Sequence, residues 1–219
     1  MSQTDWDDTD APKGIGQDIV RVDFKEITEL KCRLIGGVLP RYVYWIVNKD
    51  GGKRSIECLS FNRETKQFDP SLPDPIKEIS PEVLGPEVKP QFGYVTQLID
   101  RKTGQVVLFD PIKKGAYDDI VKYARNPQYG NPAHETKGYD ITISKIKTGP
   151  KKQNVKYTVT PDRGNSPLTA AEKELPLYDF DKLFKRPTYE EQKKWLIENT
   201  TYFLDLVGKE GMIEGAKDL

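Results

Sequence analysis

Lys145, Lys147, Lys151 and Lys152 crowd the middle of YDITISKIKTGPKKQNVKYTVTP, the stretch from Tyr139 to Pro161. Ammonium groups on such a loop do no covalent chemistry by themselves. Their chemistry is electrostatic, and it suits a polyanion held by its phosphates. A second concentration lies upstream, where Lys31, Arg33, Arg41, Lys53 and Arg54 surround Tyr42, Tyr44 and Trp45. Single-stranded nucleic acid needs a basic groove that follows its backbone and flat aromatic faces on which its bases stack. Arg101 and Lys102 add positive charge in a predicted turn. All these basic and aromatic residues, except the hairpin's own Tyr139 and Tyr157, form the candidate contact set. Tyr139 and Tyr157 align with β-branched core positions and are read as structural.

Catalytic patterns are absent by comparison. No G-x-x-x-x-G-K-[ST] loop occurs, and Gly14-Ile15-Gly16 is a lone pair. His134 sits in the Pro/Gly-bounded run GNPAHET and reads as a solvated loop histidine. The acidic start fails the calcium-loop template, because Asp10 stands where that loop needs glycine. Cys32, Cys58 and His134 supply three soft ligands at most, in separate elements, so neither zinc nor any other cofactor is expected. Two thiols without a signal peptide suit a reducing, intracellular setting. No apolar run approaches a membrane span, so no membrane partner is expected. The expectation is a binding protein and not an enzyme.

The elements that must position these residues are mostly strands. Tyr139, Ile141 and Ile143 alternate with polar residues, and so do Val155, Tyr157 and Val159, which predicts a hairpin across the lysine-rich loop. Leu30, Cys32 and Leu34 predict a strand ending at Gly36-Gly37. YVYWIV, Tyr42 to Val47, turns at Asn48–Gly52 and returns from Arg54 to Leu59. On YVYWIV, Val43, Trp45 and Val47 share one face and Tyr42, Tyr44 and Ile46 the other. The valine-bearing face is expected to be the core side, which leaves Tyr42 and Tyr44 for stacking; with the faces reversed, Trp45 takes that role. Phe92–Asp100 and Gln105–Phe109 predict another pair, and Pro111–Arg125 a helix. The Pro-rich run from Phe68 to Pro90 reads as an ordered surface excursion. Capping boxes at Thr169–Glu172 and Thr188–Glu191 open helices, the second with Trp195, Leu196, Phe203, Leu204 and Val207 as apolar positions.

This order predicts a mainly β fold with an α extension: an OB-fold-like antiparallel barrel with one inserted helix and a helical C-terminal tail. Residues 1–26 form an acidic, flexible N-terminal segment, 27–165 the OB-like domain and 166–219 the helical extension. The formal net charge is zero across 219 residues, yet Asp5, Asp7, Asp8 and Asp10 precede the first base, Lys13, while Lys31 to Arg63 is strongly basic. A zero mean thus hides a basic face beside an acidic tail.

Y-D-I-T-I-S-K, the Gly-bearing loop, K-Y-T-V-T-P, S-P-L-T-A-A-E-K-E-L and D-F-D-K-L together resemble tailed-phage single-stranded DNA-binding proteins, similar to the helix-destabilising protein of T-even phages. F-G-Y-V-T-Q-L-I-D-R, V-V-L-F, A-R-N-P-Q-Y-G-N-P, the hairpin opening R-Y-V-Y at Arg41 and Cys58 extend the resemblance over about residues 29–192. The resemblance implies an OB-fold, a cleft for single-stranded DNA bound largely without regard to sequence, and no catalysis. It also implies a role in phage DNA metabolism in the cytoplasm of the infected bacterial host. A phage polymerase or recombination protein is the expected second partner, and recruitment of a polymerase on an OB-like scaffold is the alternative function. The chain departs from the pattern in lacking a Cys/His zinc cluster, a basic N-terminal arm and a strongly acidic C-terminus.

Overall fold

A computed structural model describes residues 19–79, 81–85, 88–151 and 154–202. The acidic residues Asp5 to Asp10, Lys152, and the apolar positions Phe203, Leu204 and Val207 lie outside the described residues. The strands are β1 (Glu29–Leu39), β2 (Tyr42–Val47), β3 (Lys53–Glu57), β4 (Phe61–Asn62), β5 (Gln67–Phe68), β6 (Gln91–Phe92), β7 (Val95–Asp100), β8 (Val106–Phe109), β9 (Asp140–Lys147) and β10 (Val155–Pro161). The helices are α1 (Pro81–Leu84), α2 (Lys114–Arg125), α3 (Ala170–Lys173), α4 (Phe180–Leu183) and α5 (Tyr189–Asn199). None among the described residues is long and apolar enough to cross a membrane.

The main sheet is antiparallel, in the order β10-β9-β1-β7-β8. β1 is its centre, because Leu30, Cys32 and Leu34 feed the core while both edges of the strand are paired, to β7 and to β9. It does not stop at Gly36-Gly37. The register against β7 shifts between Ile35 and Val38, and Gly36 takes a φ of 67°, so the glycines form a bulge through which the strand continues to Leu39. Leu98, Phe109, Ile141 and Ile143 close on the inner face.

α2 connects β8 to β9 and packs on β10. The approach is close: a Cβ at Gly115 would meet the Tyr157 carbonyl oxygen at 2.8 Å, so a side chain there would push the helix off the sheet. β8 and β10 share no ladder among the described residues, so the expected barrel is not closed by strand pairing. The outer edge of β8 is instead met by the incoming chain, with the Leu108 amide bonded to the Val20 carbonyl at 2.8 Å and the Val22 amide to Leu108 at 2.9 Å. The predicted β2–β3 hairpin forms, but in a separate sheet, β3-β2-β6. Its return strand ends at Glu57, and Cys58 and Leu59 follow as buried turn residues.

The Pro-rich excursion is ordered by Asp74, whose carboxylate accepts from the Ile76 amide at 3.1 Å and caps a 3-10 turn over Pro75–Glu78. The same buried carboxylate accepts from the Ser60 amide, the Ser60 hydroxyl and the Tyr44 hydroxyl at 3.1, 3.2 and 3.3 Å. Both capping boxes form as the sequence predicts, at Thr169 and Thr188.

The segment from Ser166 to Asn199 lies back over both sheets, with Tyr178 bonded to Gln97, Arg186 to the carbonyls of Leu59 and Phe61, and Gln192 to the carbonyl of Glu57. Arg101 ties its start to the main sheet, pairing with both Asp140 oxygens and with Glu172. Burial alone would raise the Glu172 carboxyl, but the Thr169 backbone and hydroxyl and the Arg101 guanidinium outweigh it and hold the group below its usual range. A carboxyl depressed in the folded state adds stability above its unfolded pKa and loses it as pH falls through the folded value. Thermal melts of the wild type and Glu172→Gln should therefore differ at pH 7, with the difference starting to shrink near the ordinary glutamate pKa of about 4.3 and closing further into acid. A difference that persists into acid would rule out this linkage.

Candidate nucleic-acid interface

β2 presents two unlike faces. Tyr44 is 3 % exposed and Ile46 fully buried, whereas Trp45 is 40 % exposed. The face assignment from the valine pattern is therefore inverted. Val43 is buried too, so alternation between apolar residues did not mark the core side; the Tyr44 hydroxyl does, by reaching Asp74. Desolvation, then the Cys58 hydrogen bond and the Asp74 charge, push the Tyr44 phenol far up. It is a core group and unavailable for stacking. Tyr42 is half-buried in a cluster with Phe61, Phe68, Phe92 and Tyr94, at ring-centroid distances of 4.7, 4.8, 6.1 and 6.2 Å.

The outer face of β2 forms one wall of a cleft of about 830 Å³. Val43 and Trp45 stand on it beside β3, in the register Val43↔Glu57 and Trp45↔Ser55. The opposite wall comes from the C-terminal segment: Phe184 and Lys185 after α4, then Gln192, Trp195 and Asn199, which helical spacing places along one side of α5. Arg21 and Asp110 close one end, 3.6 Å apart.

Glu57, 6 % exposed, organises the cleft's charge. It accepts from Arg41 Nε at 3.0 Å and from Arg63 Nε and Nη2 at 3.0 and 2.8 Å. One carboxylate between two guanidiniums leaves a net positive charge. Arg63 also holds the Phe184 carbonyl at 3.2 Å, and the Arg41 guanidinium lies 4.7 Å from the centre of the Phe184 ring. The helical wall is thereby fixed to the hairpin wall. Arg54 is exposed on the rim and joins no ion pair among the described residues. Lys185 approaches Glu191 only at 3.9 Å with both side chains well exposed, a contact that phosphate can displace.

The structure thus brings Arg41, Trp45 and Arg54 of the expected set to one cleft, with exposed Lys53 on the same strand as Arg54. Several other members are engaged elsewhere. Arg33 is fully buried; its guanidinium donates to the carbonyls of Ser166, Leu34 and His134 at 3.0, 2.9 and 2.6 Å and to that of Pro132. It is a core staple and no phosphate ligand. Arg101 is spent on Asp140 and Glu172, and the Lys145 ammonium donates to the Phe24 carbonyl. Lys31 pairs with Asp162 at 2.6 Å. Lys102, Lys147 and Lys151 are exposed, the first at the β7–β8 turn and the others at the β9–β10 turn.

The sequence reading missed Arg21, Phe184, Lys185 and Trp195. Trp195 was legible only as an apolar position after a capping box; its place opposite Trp45 follows from the return of the C-terminal segment. Two aromatic rings line an open cleft whose basic residues Arg21, Arg41, Arg54 and Lys185 are matched in number by Asp50, Glu57, Asp110 and Glu191, so what suits it to a flat, extended anion is the exposure of Arg54 and Lys185 beside the rings and not an excess of charge. No family model matches the chain. It is 28% identical over 200 residues, spanning 75% of this chain and 75% of the relative, to a protein of Escherichia phage T5 described as a probable ssDNA-binding protein.

Proposed function

We propose that this chain is a non-catalytic single-stranded DNA-binding protein of a bacteriophage, holding one strand in the cleft between the β2–β3 hairpin and α5. The observation that carries the reading is the pairing of exposed Trp45 with Arg54, Arg41 and Trp195 in one cleft, in a chain similar to a probable ssDNA-binding protein. Bases would stack on the tryptophans, and Arg21, Arg54, Lys53 and Lys185 would face phosphates. Recognition through ring faces and backbone charge makes binding largely independent of sequence. Duplex DNA, whose base faces are already stacked, is excluded.

The scaffold supports the same reading. β1 pairs with β7 and β9, β7 pairs with β8, β9 pairs with β10, and a helix stands between β8 and β9. We read this strand order as that of an OB-fold left partly open. On that alignment residues 40–94 are the loop between its first two strands and 148–154 the loop between its last two. Those two loops contact oligonucleotides in OB-folds, so Lys151, with Lys147 at the end of β9 beside it, would extend the electrostatic track beyond the cleft. The protein would act in the infected cell's cytoplasm, wherever replication or recombination exposes single strands.

Titration of a labelled single strand and the corresponding duplex across a salt series tests this. Each phosphate neutralised contributes about −0.7 to the log–log slope for single strands, and about three to five contacts predict a roughly tenfold to hundredfold loss of affinity over a fourfold rise in salt. Equal affinity for the two forms, or a flat salt profile, would refute the proposal.

A further inference from the structure

The two buried side-chain polar atoms left without a hydrogen-bond partner among the described residues are Gln192 Oε1 and Asn48 Oδ1. Both residues line the cleft. Gln192 is 3 % exposed, and its Nε2 donates to the Glu57 carbonyl at 2.7 Å. That bond fixes the amide, because a carbonyl can face only the nitrogen end. Oε1 is therefore an acceptor with no donor. Leaving such a group buried and unpaired is costly, and a ligand whose donor reaches it, by a small displacement of the cleft wall that covers the atom, recovers the loss.

We infer that the cleft contains a base-reading position, resting on the single-strand proposal above, in which a nucleobase donates its exocyclic amino group to Gln192 Oε1. Gln192 and Trp195 are three residues apart on α5, so they share a side of the helix, separated by about 4.5 Å of rise. A base stacked on Trp195 thus lies within reach of Gln192, and in the inferred contact its edge is what meets Oε1. Cytosine and adenine carry an amino group on that edge opposite the sugar, and guanine carries one at its 2-position. Uracil and thymine carry a carbonyl at the equivalent position of cytosine, which repels Oε1, and the one donor left on their edge is the ring N3–H beside it. Binding would be tolerant of sequence along the strand and selective at this one position.

The cleanest probes are short homo-oligomers of deoxycytidine and deoxyuridine, which differ in base only by the 4-amino group against the 4-oxo group with its ring proton. Tryptophan fluorescence, quenched as a base stacks, follows binding at pH 8, where cytosines do not pair with one another. Oligo(dC) is expected to bind about threefold to tenfold more tightly than oligo(dU), the usual gain for one hydrogen bond. Gln192→Met should bring the two affinities together, with melting measured alongside because the bond to Glu57 is lost as well. Equal affinities in the unaltered protein, or tighter binding of oligo(dU), would overturn the inference while leaving the single-strand reading intact, and this comparison stands whether or not the variant folds. A preference that survives in a folded Gln192→Met protein would overturn the assignment to Gln192. Failure of both oligomers to bind would remove the single-strand reading and this inference with it.

Discussion

Trp45→Ala is expected to weaken single-strand binding by roughly fivefold to a hundredfold and to leave the melting temperature almost unchanged. A base stacked on an aromatic ring contributes about 1–3 kcal/mol. The Trp45 ring is 40 % exposed on the outer face of β2, so its removal opens no core cavity. Tyr44→Ala is the internal control. It strips a side chain that is 3 % exposed and breaks the contact to Asp74, and truncating a buried aromatic costs about 3–5 kcal/mol. Affinity and melting measured together on both variants separate stacking from packing. If Trp45→Ala binds as the wild type does, stacking in the cleft is wrong.

The largest stability effect is expected at Arg33. Arg33→Ala leaves the carbonyls of Leu34, Pro132, His134 and Ser166 without their shared donor, around a guanidinium that is itself fully buried. Each charged hydrogen bond contributes about 1.5–3 kcal/mol, so a loss of about 4 kcal/mol or more follows, a large part of the total for a domain of this size. Lysine cannot substitute, since a point charge does not reproduce the planar fork that reaches the 132–134 loop and Ser166 at once. Gly138 belongs to the same cage: any Cβ there would collide with Arg33 Nη2 and with the Pro132 and His134 carbonyls. Denaturant unfolding of Arg33→Ala and Gly138→Ala checks this. Near wild-type stability with selectively weaker DNA binding would restore Arg33 to the surface role its spacing suggested.

Those two residues show where sequence is a good guide and where it is not. The β2–β3, β7–β8 and β9–β10 hairpins, both capping boxes and the helix before β9 are local features. Alternation, turn residues and caps act within a few residues, and all of them were legible. Arg33 was not, because it occupies the alternate, solvent-like positions of β1 beside Lys31. Its cage comes from residues about 100 to 130 positions away. The face of YVYWIV was ambiguous for the same reason: Val43 and Tyr44 are both buried, one under the cleft and one over Asp74, and Asp74 is 30 residues from Tyr44. The second wall of the cleft depends on the fold-back of the C-terminal segment through Arg63, Arg186 and Gln192, contacts with no local signature. Charge density found the basic residues but could not tell which were already paired.

The position of the strand can be read directly by photocrosslinking. An oligonucleotide bearing 5-iodouracil transfers to aromatic rings in van der Waals contact, and peptide mapping then identifies the ring. The cleft account predicts crosslinks to Trp45 and Trp195, competed by unlabelled single strand and lost at high salt. Crosslinks confined to the Tyr42–Phe68–Phe92 cluster or to Tyr157 beside the β9–β10 loop, with both tryptophans unmodified, would contradict it.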